Sequence, residues 1–253
     1  DINGLSCLGW VCRAASAIQG VHQVIVATSS ELDDVPILSW CTNNHVKCFR
    51  GSKNDVLDRL YEAAKSEKAD VIVRLTADCP LLDPNLCDQL LLHFELTGVD
   101  YATNSHPPTW PDGLDCEVFT MSALSEANKY STLPSEREHV TRWIRSNKHM
   151  FSQSVLTSPT PGLHNYRWTL DTPEDLEFIR SLARKLPNNR PCSYYEILNT
   201  LRTNPIVSQN SCVTERNTSL KLALSKDFKS KVKKRPKYTY SNKIFTKASK
   251  VIP

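Results

Sequence analysis

The stretch Val71-Ile-Val-Arg-Leu-Thr-Ala-Asp-Cys-Pro-Leu-Leu-Asp-Pro84 decides the fold. It opens with an apolar, largely β-branched run, Val71–Leu75, which is typical of a buried strand in a parallel sheet. Pro80 cannot continue a central strand, so the strand ends before it and Asp78 lies at its carboxyl edge. Ligands bind at that edge in open α/β sheets, and a carboxylate there can hold a hard cation such as Mg2+. Asp78 could equally cap the next turn, and the stretch alone leaves both roles open.

Strand and helix patterns alternate on either side of this stretch. The sequence predicts helices over 5–18, 36–43, 55–66 (with Asn54 as its cap) and 84–96, and strands over 23–27 and 46–49. Such alternation indicates an α/β fold, with a mostly parallel central sheet and helices on both faces. Further along, the sequence predicts strands over 99–103, 114–119, 151–156 and 166–170, and helices over 134–147, 172–186 and 194–201.

A second carboxylate repeats the arrangement of Asp78. Asp171 follows the predicted strand 166–170 and precedes Thr172, a good N-cap for the next helix. Two carboxylates that end two distant strands could share one divalent cation at the same edge of the sheet.

Two acids also stand on one face of the predicted strand 114–119. Asp115 and Glu117 point one way and Cys116 and Val118 the other, because side chains alternate along a strand. The acids could form a solvated face, which general statistics favour, or line a pocket that grips sugar hydroxyls.

Composition limits the classes of protein that fit. The apolar fraction of 40% suits a sizeable core, and no apolar run is long enough to cross a bilayer. Nine scattered cysteines, without zinc-site spacing, favour a reduced, cytoplasmic protein. From residue 221 onward there are 11 Lys and Arg and one acid, so a tail of charge +10 follows a body of −6. Residues 204–240 are therefore predicted to be a basic polar linker.

Five segments in fixed order carry a resemblance to a known family. They are Phe49-Arg-Gly-Ser-Lys-Asn-Asp-Val-Leu-Asp-Arg59, Arg74-Leu-Thr-Ala-Asp-Cys-Pro80, Pro111-Asp-Gly-Leu-Asp-Cys-Glu-Val-Phe119, Glu136-Arg-Glu-His-Val-Thr141 and Arg167-Trp-Thr-Leu-Asp-Thr-Pro-Glu-Asp-Leu176. Residues 1–190 resemble the cytidylyltransferases of the spore-coat-polysaccharide type, which are related to the CMP-KDO and acylneuraminate synthetases. The resemblance implies the three-layer fold of nucleotide-diphospho-sugar transferases, over a domain of residues 1–203.

The resemblance also implies an activity and a set of site residues. The expected reaction transfers CMP from CTP to a sugar acid or a phosphorylated sugar-like acceptor and releases pyrophosphate. Asp78 and Asp171 are expected to be catalytic and to hold Mg2+. A homodimer through the 101–151 region is expected. The nucleotide side is expected to comprise Ala27, Thr28, Arg50, Gly51, Asp55, Arg59, Arg74 and Thr76, and the acceptor side Gly113, Asp115, Glu117, Glu136 and His139.

The two ends of the chain depart from that pattern. The family opens with a strand and a loop of small residues, Arg and Lys that cradles the triphosphate, whereas Asp1-Ile-Asn-Gly-Leu5 matches the segment that comes after that loop. The chain is therefore expected to be an N-terminally truncated piece. Residues 241–253 resemble the start of an aminotransferase of the glutamate-1-semialdehyde aminomutase type, which would make them the beginning of a second domain.

Two other functions fit parts of the sequence. A nucleic-acid-binding protein would use the Lys-rich tail to hold phosphates, but the body is acidic and the tail lacks interleaved aromatic residues. A glycosyltransferase of the same fold would also need a metal-binding carboxylate. Asp171 and the 111–119 segment suit nucleotidyl transfer better.

Because the triphosphate-cradling loop is missing from the sequence, we predict that the 253-residue chain releases pyrophosphate far more slowly than an intact relative. Pyrophosphate release from CTP with a panel of sugar acids measures this. Turnover equal to that of an intact relative would contradict the prediction.

Overall fold

The structure is a computed structural model that describes residues 1–205, 207, 220 and 223–227. Within them the helices are α1 Cys7–Ser16, α2 Val35–Asn43, α3 Val56–Ser66, α4 Pro84–Thr97, α5 Met121–Tyr130, α6 Pro134–Glu138, α7 Arg142–Ser146, α8 Pro173–Ala183 and α9 Tyr194–Thr203. The strands are β1 Ile25–Ser29, β2 Lys47–Gly51, β3 Val71–Arg74, β4 Tyr101–Thr103, β5 Glu117–Thr120 and β6 Gln153–Val155.

The strands form two sheets in the described part of the chain. β1 and β2 pair in parallel, and the second sheet has the order β3-β5-β4-β6. β4 and β6 are parallel, as the sequence predicts, but β5 runs antiparallel to both of its neighbours. The reason lies in its connections: β5 returns from the loop after β4 without a helix between them, so the chain reverses direction.

Apolar clusters on both faces of β5 confirm the layered α/β fold. Val118 packs with α1 and α4 on one face, and Phe119 packs with α3 and α5 on the other. Each side chain is fully buried, so the strand is covered on both faces. A further cluster around Trp110 and Trp168 joins α8 and α9 to this body.

Helix caps decide several boundaries. Thr172 caps α8 as predicted, accepting the amide of Asp175. The prediction of Asn54 as the cap of α3 is wrong, because Asp55 takes that position and accepts the amide of Asp58 at 2.9 Å. The single helix predicted over 134–147 is broken between α6 and α7, and α5 was missed.

The predicted strand 166–170 is also absent from the described structure. This extended segment makes only an isolated bridge, between Arg167 and Asp112. Its other backbone bonds go to separate places, among them the amide of Trp168 to the carbonyl of Asp112 at 2.6 Å. Without a neighbouring strand in register, no ladder forms.

Part of the C-terminal stretch packs against the body. Asp227 is buried, and its carboxylate accepts the amide of Ser135 and a guanidinium N–H of Arg142, each at 2.9 Å. Residues 223–227 are helical and lie within the range 204–240 that the sequence predicts to be a linker. The rest of that stretch, apart from 204, 205, 207 and 220, and the second domain predicted at 241–253 lie outside the described residues.

Among the described residues, no helix combines the length and the apolar character needed to cross a membrane. The eight described cysteines all carry free thiols. Burial raises the pKa of the Cys12 thiol to about 11, so this thiol stays protonated at neutral pH.

Gly113 is needed where two segments approach closely. Its φ is +104°, and a Cβ atom there would lie 2.6 Å from the carbonyl carbon of Trp168. We expect Gly113→Ala to lower the free energy of unfolding by about 3 kcal/mol, through strained backbone and the clash. Gly98 is the matched control, because its φ is +60° with nothing within 4 Å of an added Cβ. Gly98→Ala should cost about 1 kcal/mol.

Urea unfolding of both variants measures the two costs. Equal losses of stability in Gly113→Ala and Gly98→Ala would show that the contact with Trp168 imposes no steric limit.

Candidate functional site

The two predicted metal-binding aspartates lie on neighbouring backbone segments. The amide of Leu170 donates to the carbonyl of Asp78 at 2.8 Å, and the hydroxyl of Thr169 donates to the same oxygen at 3.2 Å. Asp171 follows directly. The end of β3 and the extended segment 166–171 are therefore joined at the carboxyl edge of the sheet, where the sequence predicts a site.

Asp171 and its neighbours surround one guanidinium. Arg167 donates to Asp171 at 2.6 Å, to Asp175 at 3.0 Å and to Asp112 at 3.2 Å. Burial alone would lower the pKa of Arg167, but the hydrogen bonds to Asp175 and Asp171 raise it. The side chain of Asp171 is 54% exposed, whereas that of Asp175 is 3% exposed. Asp175 therefore neutralises the buried cation, and Asp171 still faces solvent.

The residues present fit a magnesium ion held by few protein ligands. Mg2+ keeps several waters and is commonly bound through one or two carboxylates plus phosphate oxygens. Asp78 and Asp171 offer hard oxygen ligands from adjoining segments, and Asp171 is accessible. In the part of the chain that the structure describes, no group of three or more His, Cys, Asp or Glu is arranged to hold a metal. A magnesium ion held here would therefore depend on these two carboxylates, with water or phosphate oxygens as its other ligands.

A polar pocket of about 140 Å3 opens beside this edge. It combines cationic, acidic and hydroxyl groups, so it suits a polar ligand that carries negative charge. Some of its lining residues are predicted for the nucleotide side, some for the acceptor side, and some were not singled out from the sequence. The lining residues are Arg74, Thr76, Ser105, His106, Asp115, Glu117, His139, Thr141, Arg145 and Leu220.

Glu117 is buried behind this pocket and fully engaged. It pairs with Arg74 at 2.5 Å and accepts the hydroxyls of Tyr101 and Thr141. Burial alone would raise its pKa, but the charges of Arg74 and Arg145 and the two hydroxyl donors lower the pKa to about 2. The solvated face favoured from the sequence is therefore wrong for Glu117. Its role here is to hold Arg74 and to stay charged.

Arg145 is a residue at this pocket that sequence reasoning missed. It lies on α7, and its Nε atom is buried with no hydrogen-bond partner among the described residues. A guanidinium that lines a pocket and is only partly satisfied can bind a carboxylate or phosphate. The break between α6 and α7 places Arg145 at the pocket. The sequence pattern over 134–147 is that of one continuous helix, so it did not predict the break.

The predicted nucleotide-side residues on β1 and β2 form a connected structural network. The hydroxyl of Thr28 donates to Asp34 at 3.0 Å, and Arg50 donates to the carbonyls of Ser29 and Glu31. Ala27 lines a cavity beside β1. Gly51 packs against Arg59, which lies 3.0 Å from the position of an added Cβ.

The remaining nucleotide-side residues divide into two kinds. Asp55 is occupied: it caps α3 and accepts a bidentate pair from Arg137, with the shortest contact at 2.7 Å. Arg59 donates to the carbonyl of Ser52 at 2.8 Å, while its Nε atom is buried without a partner in the described chain. Thr76 contacts the thiol of Cys79 and lines the polar pocket. Arg59 therefore keeps one buried nitrogen without a partner in the described chain and Thr76 lines the polar pocket, whereas the carboxylate of Asp55 is engaged by Arg137 and the start of α3.

The predicted acceptor-side residues also fall into two groups, those that line the polar pocket and those that do not. Asp115, Glu117 and His139 line the polar pocket, although Glu117 acts through Arg74. The carboxylate of Glu136 instead accepts the amides of Thr132 and Leu133 at the start of α6. Gly113 is fixed by its contact with Trp168 and is absent from the pocket lining.

Comparisons with known proteins match most of the chain. The family model described as Cytidylyltransferase matches residues 1–202. The spore coat polysaccharide biosynthesis protein SpsF of Bacillus subtilis is 32% identical over 185 residues, which cover 72% of this chain and 75% of that protein. The 3-deoxy-manno-octulosonate cytidylyltransferase of Acidobacterium capsulatum is 31% identical over 114 residues, which cover 42% of this chain and 43% of that protein.

A solved structure is similar over most of the fold. The cytidylyltransferase from Leptospira borgpetersenii superposes with a TM-score of 0.79 at 30% identity, covering 85% of this chain and 90% of that one.

The Glu117 network predicts a dependence of stability on pH. Because its pKa falls from 4.5 in the unfolded chain to about 2 in the folded protein, folding favours the charged form. The resulting stabilisation, about 3 kcal/mol, is present above pH 4.5 and is lost as the pH falls towards 2. Urea unfolding between about pH 2 and pH 7 measures it.

Glu117→Gln should be less stable at neutral pH and should lose much of this pH dependence. Glu95→Gln, which removes an exposed carboxylate on α4, is the control and should retain it. An unchanged pH profile in Glu117→Gln would contradict the assigned charge state.

Proposed function

We propose that this chain, which belongs to the cytidylyltransferase family, transfers CMP from CTP to a sugar acid or a phosphorylated sugar-like acceptor and releases pyrophosphate. The family is one of nucleotidyltransferase enzymes. The match favours nucleotidyl transfer over the glycosyltransferase reaction that the fold could also support.

The observation that carries the proposal is the hydrogen bond between Leu170 and Asp78 at 2.8 Å. It brings the segments that bear Asp78 and Asp171 together at the carboxyl edge of the sheet, next to the polar pocket. We propose that these two carboxylates hold Mg2+ against the phosphates of CTP. When bound, the ion neutralises charge on the phosphate that is attacked.

The chain's own residues then have distinct roles. Arg167 keeps Asp171 oriented, and the exposed side of that carboxylate remains accessible to the ion. Arg59, on α3, would add positive charge beside the nucleotide, which its unpartnered Nε atom supports. Most of the rate would come from positioning and fixed charge rather than from proton transfer.

The acceptor is proposed to occupy the polar pocket. Arg74 and Arg145 suit a carboxylate or phosphate, and Asp115 can accept hydrogen bonds from hydroxyl groups. Glu117 keeps Arg74 charged and in a fixed position. Ligand binding therefore does not lose the free energy needed to order the Arg74 side chain. The name of the relative from Acidobacterium capsulatum makes 3-deoxy-manno-octulosonate a suitable first probe. The homodimer through the 101–151 region stays a prediction.

Metal-dependent binding of CTP tests the site without requiring turnover. We expect Mg2+ to strengthen CTP binding, and Asp78→Asn and Asp171→Asn each to weaken the metal-dependent part roughly 10-fold or more. Glu95→Gln is the matched control. Calorimetric titration with CTP, with and without Mg2+, gives the affinities. If both aspartate variants keep the Mg2+ effect of the control, the two-carboxylate site is refuted.

Acceptor binding tests the pocket separately. We expect Arg145→Met to weaken binding of 3-deoxy-manno-octulosonate about 10-fold, because a charge-assisted hydrogen bond is lost, and to leave CTP binding unchanged. Arg145→Lys keeps the charge and should lose less. An equal effect of Arg145→Met on CTP and on the sugar acid would indicate general misfolding or a different acceptor site.

A further inference from the structure

Part of the chain beyond the family match contributes to the polar pocket. The match ends at residue 202, whereas Leu220 is among the residues that line the pocket. Residues 223–227 are helical, and together with Leu220 they form a segment that we call the C-terminal strap. Two of its residues, Ala223 and Asp227, are buried. The strap is therefore packed against the body of the protein.

Asp227 anchors the strap to the start of α6 and to α7. Its carboxylate accepts the amide and the hydroxyl of Ser135 and a guanidinium N–H of Arg142, and the amide and guanidinium bonds are both 2.9 Å long. A buried carboxylate is costly to leave without donors, and these three donors compensate it. Lys226 also pairs with Glu138 at 3.2 Å, but both side chains are exposed, so this contact is weaker.

The strap forms a wall of the pocket and does not plug it. Asp227 is the only acid from residue 221 onward, and it pairs with Arg142 instead of Arg145, which lines the pocket. The Nε atom of Arg145 has no hydrogen-bond partner among the described residues. Leu220 is half-buried, and a space of about 140 Å3 remains beside it. An anionic ligand can therefore reach the pocket while the strap is docked.

Leu220 differs in kind from the rest of the lining. The other described lining residues all carry polar or charged side chains, whereas Leu220 offers only carbon-bound hydrogens. A hydroxyl group held against Leu220 would lose hydrogen bonds to water, while a carbon face of a sugar would gain from burial. Such a wall suits a sugar acid that turns its charged group to Arg145 and a face of carbon-bound hydrogens to Leu220.

We propose that the C-terminal strap completes the acceptor pocket. Leu220 packs against the bound acceptor, and Asp227 is a positioning residue that holds the strap in place. This inference rests on the proposed function, because that function assigns the acceptor to the polar pocket. It makes acceptor binding depend on residues that lie outside the family match.

Binding of 3-deoxy-manno-octulosonate to the full 253-residue chain tests the wall. We expect Leu220→Ser to weaken binding roughly 5-fold or more, because a buried apolar contact is lost. Leu220→Met keeps an apolar side chain and should weaken binding by about 2-fold at most. Leu224→Ser is the matched control on the same strap, since Leu224 is 41% exposed, and it should bind the sugar acid normally. Calorimetric titration gives the affinities, and CTP affinity should stay constant in all three variants.

Asp227→Asn tests the anchor. We expect amide exchange in residues 223–227 to become roughly 10-fold faster or more, because the buried hydrogen bonds of the carboxylate are weakened. The affinity for the sugar acid should fall as it does in Leu220→Ser. Lys226→Gln removes only the exposed pair with Glu138 and should change neither quantity.

The outcomes separate this inference from the proposed function. If Arg145→Met weakens binding of the sugar acid while Leu220→Ser and Asp227→Asn do not, the strap takes no part and this inference alone is overturned. It is also overturned if Leu224→Ser weakens binding as much as Leu220→Ser, or if Asp227→Asn leaves amide exchange in the strap unchanged. If the unaltered chain binds no sugar acid, or if none of these variants weakens binding, the acceptor pocket itself is refuted and both proposals fail.

Discussion

The structure depends on one backbone contact between distant parts of the chain. The carbonyl of Asp78 receives the amide of Leu170 and the hydroxyl of Thr169, from a segment that has no strand ladder of its own. The same segment is fixed at Trp168, whose amide reaches Asp112 and whose carbonyl leaves room only for a glycine. Because backbone hydrogen bonds set the separation of the two segments, the backbone positions of Asp78 and Asp171 are fixed before any ligand arrives.

Two charge networks each compensate a buried ionic side chain, one a cation and the other an anion. Arg167 is surrounded by acids, so the buried cation is compensated while Asp171 keeps an open face. Glu117 is the reverse case, a buried anion compensated by Arg74 and by hydroxyl donors. A buried charge without such partners would be costly, so each network keeps its ionic side chains in fixed places next to the proposed ligands.

The sequence predicted the fold more completely than it predicted the candidate site. Alternating apolar runs predicted most helices and strands, and they placed Asp78 at a strand end, because periodicity and proline act locally. The antiparallel course of β5, the break between α6 and α7 and the irregular path of 166–171 depend on contacts between distant residues. Arg145 was missed for that reason, and Glu136 and Asp55 were expected at a ligand although they cap helices and hold neighbouring groups. For Glu117, the alternation along the strand correctly predicted the face on which its side chain lies. It could not predict that other residues bury that side chain.

Among the described strands, β1 and β3 each leave one edge unpaired, which has a consequence for how the chain behaves in concentrated solution. Unpaired strand edges flanked by apolar side chains are templates on which other chains can add, and natural proteins usually block them with charge, proline or a covering segment. Among the described residues that line the cavity of about 350 Å3 between β1 and β3, only Arg59 and Arg74 supply charge. Colloidal stability and the tendency to form sheet-like aggregates should therefore be governed by these few residues rather than by the overall net charge.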